Sequence, residues 1–129
     1  MKIDELDFSG IARVIQKAVS EMKIPTQPVE SGDTITYYAA AGNASEDNMY
    51  QFYIYNDDGA WKAYIRRTPD YGTRNTTPSV IHVNFDYRGR YVCIKGGDPS
   101  TCAELLEMTM LWADRTQRYI RTGKSLNQR

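Results

Sequence analysis

Residues 49–67, MYQFYIYNDDGAWKAYIRR, decide the fold of this chain. Four tyrosines, a phenylalanine and a tryptophan fall within nineteen positions. At the centre stands NDDG, residues 56–59, between two runs of β-branched and aromatic residues. That break is a hairpin signal, because Gly59 adopts positive φ without steric cost. Side chains alternate along a strand, so the length of the turn decides which residues share a face. A two-residue turn at Asp58-Gly59 groups Phe52, Ile54, Trp61, Ala63 and Ile65 on one side. Gln51, Tyr53, Tyr55, Lys62, Tyr64 and Arg66 then share the other. A three-residue loop would instead set Trp61 beside Tyr55, and Lys62 beside Ile54. The first pairing separates apolar from amphipathic residues and is the expected one.

Outward from this hairpin, the chain reads as helix, five strands, helix. In DFSGIARVIQKAVSEMK, residues 7–23, Phe8, Ile11, Ile15, Ala18 and Met22 recur every three or four positions, as on one helix face. Asp7 or Ser9 is placed to cap it, and Pro25 forbids continuation. A strand is expected from Thr34 to about Ala40. TPDYGTRNTTPS, residues 68–79, reads as a long polar loop. VIHVNF and RYVCIK form a second hairpin around DYRG, with Gly89 as the left-handed residue. A three-residue loop there faces Phe85 with Tyr91 and Val83 with Cys93. Ile81, Val83, Phe85, Tyr91 and Cys93 then line one face, and His82, Asn84 and Asp86 the other. A long helix follows, starting at Pro99 behind Asp98, or at a capping box of Thr101 and Glu104. Gly123 stops it, and the tail 124–129 is polar and expected to fray.

Strands joined by short turns pair antiparallel. Amphipathic helices need a surface to bury their stripes, and a sheet face is the one large apolar surface available. The expected fold is therefore α+β, a single domain over residues 1–129. It has two layers: a five-stranded antiparallel sheet, with the N-terminal and C-terminal helices packed on one face. The other face stays open.

Composition narrows the function. Sixteen Lys and Arg balance sixteen Asp and Glu, so no long-range pull toward nucleic acid or anionic lipid is expected. Cys93 and Cys102 are the two cysteines, too few for a disulfide framework or a four-ligand zinc site. They read as reduced thiols of a cytoplasmic protein. The first ten residues carry no apolar run, so a signal peptide is not expected. No stretch approaches the ~18 apolar residues of a membrane span. No metal or cofactor is expected.

Tyrosine is the outlier, with ten copies. On the open face, Tyr53, Tyr55 and Tyr64 would stand between Lys62 and Arg66, with Tyr38 and His82 on neighbouring strands. Tyr and Arg are enriched at binding hot spots. Tyrosine also suits a half-wet sheet surface that binds nothing. His82 and Asp86 stand roughly 13 Å apart on an extended strand, too far for a catalytic pair. Cys93 and Cys102 read as packed thiols, although the helix dipole at Cys102 would favour the thiolate. KGGDPST lacks the spacing of a phosphate loop and carries Asp98 where an anion would sit. Arg115, Arg118 and Arg121, followed by Lys124 and Arg129, complement the helix dipole or contact nucleic acid. MTMLW, residues 108–112, is apolar almost all round. Trp112 and Met108 would face the sheet, leaving Met110 and Leu111 for the first helix or for an association patch.

The leading expectation is a small non-enzymatic protein that binds another protein. Adaptors, antitoxins and inhibitors carried by phage or mobile elements belong to this class, and a homodimer fits it too. The alternative is a nucleic-acid module using the Tyr/Arg face, where aromatics interleaved with cations suit single strands, or the basic helix end. An enzyme ranks third, because no nucleophile, base and orienting group fall at catalytic spacing.

Overall fold

A computed structural model of the chain describes residues 29–39 and 44–127. Its elements are β1 (Thr34–Tyr38), a 3-10 turn (Glu46–Asn48), β2 (Met49–Asp57), β3 (Ala60–Arg67), a short helix α1 (Pro78–Ile81), β4 (Val83–Asp86), β5 (Gly89–Val92) and a long helix α2 (Cys102–Thr122). The expected N-terminal helix lies outside the described residues.

The five strands form one sheet in the order β1-β2-β3-β5-β4, and every pairing is antiparallel. The β2–β3 turn is the two-residue one. Asp58 (φ 52°) and Gly59 (φ 94°) both have positive φ, as a type I′ hairpin turn requires. Tyr55 pairs with Lys62, Ile54 with Ala63, and Tyr53 with Tyr64. A bulge between Gln51 and Phe52 ends the regular ladder.

The apolar face of this sheet is covered by α2. Phe52, Ile54, Ala63, Ile35 and Val92 are buried there with Leu105, Leu106, Trp112 and Ala113. The Trp112 ring meets Tyr50 and Phe52 edge-on at 6.0 and 5.9 Å. Its indole N–H donates to the Ile81 carbonyl at 2.9 Å, which ties α1 to α2. Two further tyrosines belong to this core. The Tyr50 hydroxyl donates to Gln117 Oε1 at 2.9 Å, and Gln117 Nε2 donates to the Asp47 carbonyl at 2.8 Å. The Tyr37 hydroxyl donates to the Asp114 carboxylate at 3.0 Å. Buried hydroxyls need such partners, and these three bonds orient α2 over β1 and β2.

The second hairpin departs from the expected register by one residue. Asp86 pairs with Gly89, Phe85 with Arg90, Asn84 with Tyr91 and Val83 with Val92. The Asp86 carboxylate accepts the Arg88 backbone N–H at 2.8 Å, an aspartate-stabilised turn that closes the loop around Tyr87 and Arg88. The slip exchanges the faces of β5 and leaves those of β4 as expected. Val92 enters the core, and Tyr91 leaves it for the opposite side. Phe85, expected inside, is 60% exposed. Ile81 closes α1 instead of opening a strand, so the loop expected over 68–79 ends at its helical start, Pro78.

The long helix begins at Cys102, with Thr101 accepting the Glu104 N–H. It ends at Gly123 in the left-handed region, φ 78°. Beyond it, where fraying was expected over 124–129, the described residues 124–127 make contacts with α2. Arg115 and Arg118 donate to the carbonyls of Leu126 and Ser125 at 3.4 and 3.2 Å. Leu126 is buried.

Phe52 is fully enclosed, whereas Trp61 only packs against the core from its margin. Phe52→Ala should therefore cost about 3–5 kcal/mol in urea unfolding. Trp61→Ala should cost clearly less, and equal losses would place Trp61 inside the core.

Candidate functional site: a tyrosine-lined sheet face

On the face away from α2, the register draws one row across all five strands: Thr34, Tyr53, Tyr64, Tyr91, Asn84. Tyr55 stands two residues along β2 from Tyr53. The four tyrosines touch one another. Ring centroids lie 6.1 Å apart for Tyr53–Tyr55, 6.3 Å for Tyr53–Tyr64, 6.5 Å for Tyr55–Tyr64 and 5.7 Å for Tyr64–Tyr91. Most are tilted or edge-on, the arrangement that aromatic quadrupoles favour.

Charges lock this cluster at its β4–β5 side. Asp86 pairs with Gly89, which has no side chain to stand between Asp86 and β3. Tyr64 therefore donates to Asp86 Oδ2 at 2.6 Å, and Lys62 Nζ approaches the same oxygen at 3.4 Å. Lys62 also reaches Asp57 at 3.2 Å and lies 4.8 Å from the Tyr91 ring centre. Arg88 folds back from the turn. It donates to the Tyr55 hydroxyl at 3.0 Å, and its guanidinium sits 4.1 Å from the Tyr55 ring centre. Arg66 covers Tyr53 at 5.1 Å. Each of these cations stacks on an aromatic ring, as cation–π attraction favours.

The titrations follow from this geometry. Burial alone would raise the Asp86 carboxyl. The bonds from Tyr64, the Arg88 N–H and Lys62 outweigh it and hold the carboxyl below its ordinary value. Burial, then the hydrogen bond to Asp86, pushes the Tyr64 hydroxyl up to about 12. Burial acts to lower Lys62, but its bonds to Asp57 and Asp86 prevail and hold it above its usual value. The set is most stable with Asp86 as a carboxylate, Lys62 as an ammonium and Tyr64 as a neutral phenol.

The structure brings together Tyr53, Tyr55, Lys62, Tyr64 and Arg66, as the hairpin reading expects. It corrects their exposure. Tyr64 is 0% exposed, because its neighbours' side chains enclose it on the open face. Tyr53 and Tyr55 are half-buried, and Arg66 is exposed. Tyr91, Arg88 and Asp86 join the cluster. Tyr91 was hidden by the one-residue slip, while Asp86 at the turn start was a usable signal for it. Tyr38 shares the face by register but stands opposite Met49, away from the rings. His82 leaves the sheet in a left-handed conformation, φ 55°, ψ 58°.

The remaining candidates lie elsewhere. Arg115 and Arg118 bind tail carbonyls, and Arg121 is exposed at the end of α2. None of the three joins the tyrosines. Met110 is only 5% exposed, so it contributes little to a surface patch, whereas Leu111 is 38% exposed. Cys93 is partly exposed instead of packed. Cys102 donates to the Val29 carbonyl at 3.4 Å, and burial pushes its thiol up to about 11. Burial, then the Asp33 charge, raises this thiol where the helix dipole was expected to lower it. Among the described residues no three His, Cys, Asp or Glu side chains gather as metal ligands, and no helix is long and apolar enough to cross a membrane. No known family, curated protein or solved structure matches this chain.

Because the folded Asp86 carboxyl is depressed, its stabilisation is complete above the unfolded value of about 3.9. It is lost as pH falls through the lower folded value. Between pH 5 and acid, the urea midpoint of the native chain should fall more steeply than that of Asp86→Asn. Parallel curves would show that Asp86 carries no charge-dependent stabilisation.

Proposed function

We propose that this protein is a non-enzymatic binding module that engages another protein through Tyr53, Tyr55, Tyr91, Arg66 and Arg88. One observation carries the reading: these aromatics form a contiguous, internally braced surface, and the core does not use them. Tyrosine and arginine braced in this way lose little conformational freedom on contact, which favours binding energetically. The patch carries three cations, Lys62, Arg66 and Arg88, and two carboxylates, Asp57 and Asp86. A weakly acidic protein surface complements that balance.

The same geometry favours protein over single-stranded nucleic acid. Base stacking needs open ring faces, and Arg66, Arg88 and Lys62 already lie over Tyr53, Tyr55 and Tyr91. Lys62 is also neutralised by both carboxylates. Arg115 and Arg118 are engaged with the tail, which weakens the basic helix end as an alternative.

The test is affinity capture from the source cell with and without nuclease, comparing the native chain with Tyr53→Ala, Arg66→Ala. The double variant should fold normally and lose a protein partner that nuclease does not release. Truncation at a hot spot weakens binding by about 2 kcal/mol or more. Material that nuclease removes, or saturable binding of the native chain to an oligothymidylate with a steep salt dependence, would overturn the reading.

A further inference from the structure

The exposed side of α2 carries a second feature, remote in function from the tyrosine face. A cleft of about 120 Å³ opens between the end of β5, α2 and the returning tail. Its apolar walls include Ile94, Met108, Leu111 and Leu126, and Lys95 and Arg115 also line it. This is where Leu111, the one large apolar side chain exposed on α2, finds its surroundings.

Size and charge define what fits. An enclosed apolar cavity of roughly 150 Å³ is enough to take up benzene. The space here is of the same order and open to solvent on one side, so it suits one ring or one branched side chain, with the rest of a larger ligand outside it. Among the described residues no Asp or Glu lines it. Among the described residues Lys95 has no ion-pair or hydrogen-bond partner, and Arg115 makes one 3.4 Å bond, to the Leu126 carbonyl. Two cations beside an apolar hollow, with no lining carboxylate to neutralise them, match an apolar group that carries its own negative charge.

We propose that this cleft binds a one-ring or branched apolar group bearing a carboxylate, with the apolar part against Met108 and Leu111 and the carboxylate between Lys95 and Arg115. Two sources share that chemistry: a free aromatic acid, and the C-terminal residue of a polypeptide ending in Phe or Leu. The site stands independently of the proposed role of the tyrosine face.

The probes are phenylacetate, its uncharged counterpart 2-phenylethanol, and acetyl-Gly-Phe with a free or an amidated C-terminus. Binding is read from the Met108 methyl resonance and from protection of Cys93, which lines the cleft, against iodoacetamide. Phenylacetate should shift the methyl saturably and protect Cys93. Phenylethanol should bind about fivefold more weakly or worse, the scale of one partly screened charge contact. Lys95→Glu, on an exposed loop, should weaken phenylacetate by a similar factor and leave phenylethanol unchanged. Leu111→Trp, which fills the cleft, should abolish binding of both while dichroism stays native. Tighter binding of the free-acid peptide than of phenylacetate, lost on amidation, assigns the polypeptide source. The reverse order assigns the free acid. The proposal falls if phenylacetate gives no saturable shift up to its solubility limit, if the charged and uncharged compounds bind alike, or if Lys95→Glu changes nothing.

Discussion

The positive φ angles of Asp58 and Gly59 are the constraint on which the rest of this structure depends. They close a type I′ turn, whose twist matches that of the flanking strands. A turn one residue longer would bring Trp61 beside Tyr55 and Lys62 beside Ile54. The apolar and charged sets would then mix, and neither α2 nor the tyrosine cluster would have a uniform surface to form on. Register here is thus a choice about charge as much as about hydrophobicity. Burying Lys62 under α2 without its carboxylates would carry the penalty of an unpaired ion.

The aromatic density of residues 49–67 resolves into two populations that differ in what their hydroxyls do. Tyr50, like Tyr37 on β1, reaches through the core to a polar side chain of α2, so each serves as both packing and a helix clamp. Tyr64 reaches sideways within its own face to Asp86. It is as inaccessible as Phe52, yet no helix of the described residues packs over it. Its enclosure comes from aromatic and cationic neighbours one layer deep. A ring so placed holds Tyr53, Tyr55 and Tyr91 in position and is not itself offered to a partner.

Much of this was legible in the sequence, and the gaps have identifiable causes. Alternation in 49–67 and the Asp58-Gly59 pair were enough for the central hairpin, and Thr101 and Gly123 marked the ends of α2. The second hairpin misled because DYRG accommodates two pairings that differ by one residue. The deciding interaction, the Asp86 carboxylate on the Arg88 N–H, is a side-chain-to-backbone bond that hydrophobic pattern does not encode. The slip hid Tyr91, and it set Phe85 opposite Arg90, where it is left exposed. Arg88 was unreadable for a related reason. Its role depends on folding back across two strands to Tyr55, a contact between residues 33 positions apart. In the tail, polar composition suggested fraying, but up to residue 127 one apolar residue, Leu126, and two arginines on the preceding helix make contacts that composition does not show.

Asp86 links the two levels at which that hairpin acts. One of its oxygens accepts the Arg88 N–H and so sets the turn. The other accepts from Tyr64 and meets Lys62. The register of β4–β5 and the polarity of the tyrosine face are therefore one property of one carboxylate. Replacing the turn with a longer loop would misplace Asp86, leave Lys62 with Asp57 alone, and free Arg88 from Tyr55. The rings would lose their cations and their packing angles together. A surface built this way responds to change as a unit, because its charged and aromatic members share partners. In the proposed binding role, that coupling sets what the face can recognise. An approaching group meets arginine and tyrosine already joined, so it must accommodate the composite surface or break contacts that the fold itself relies on.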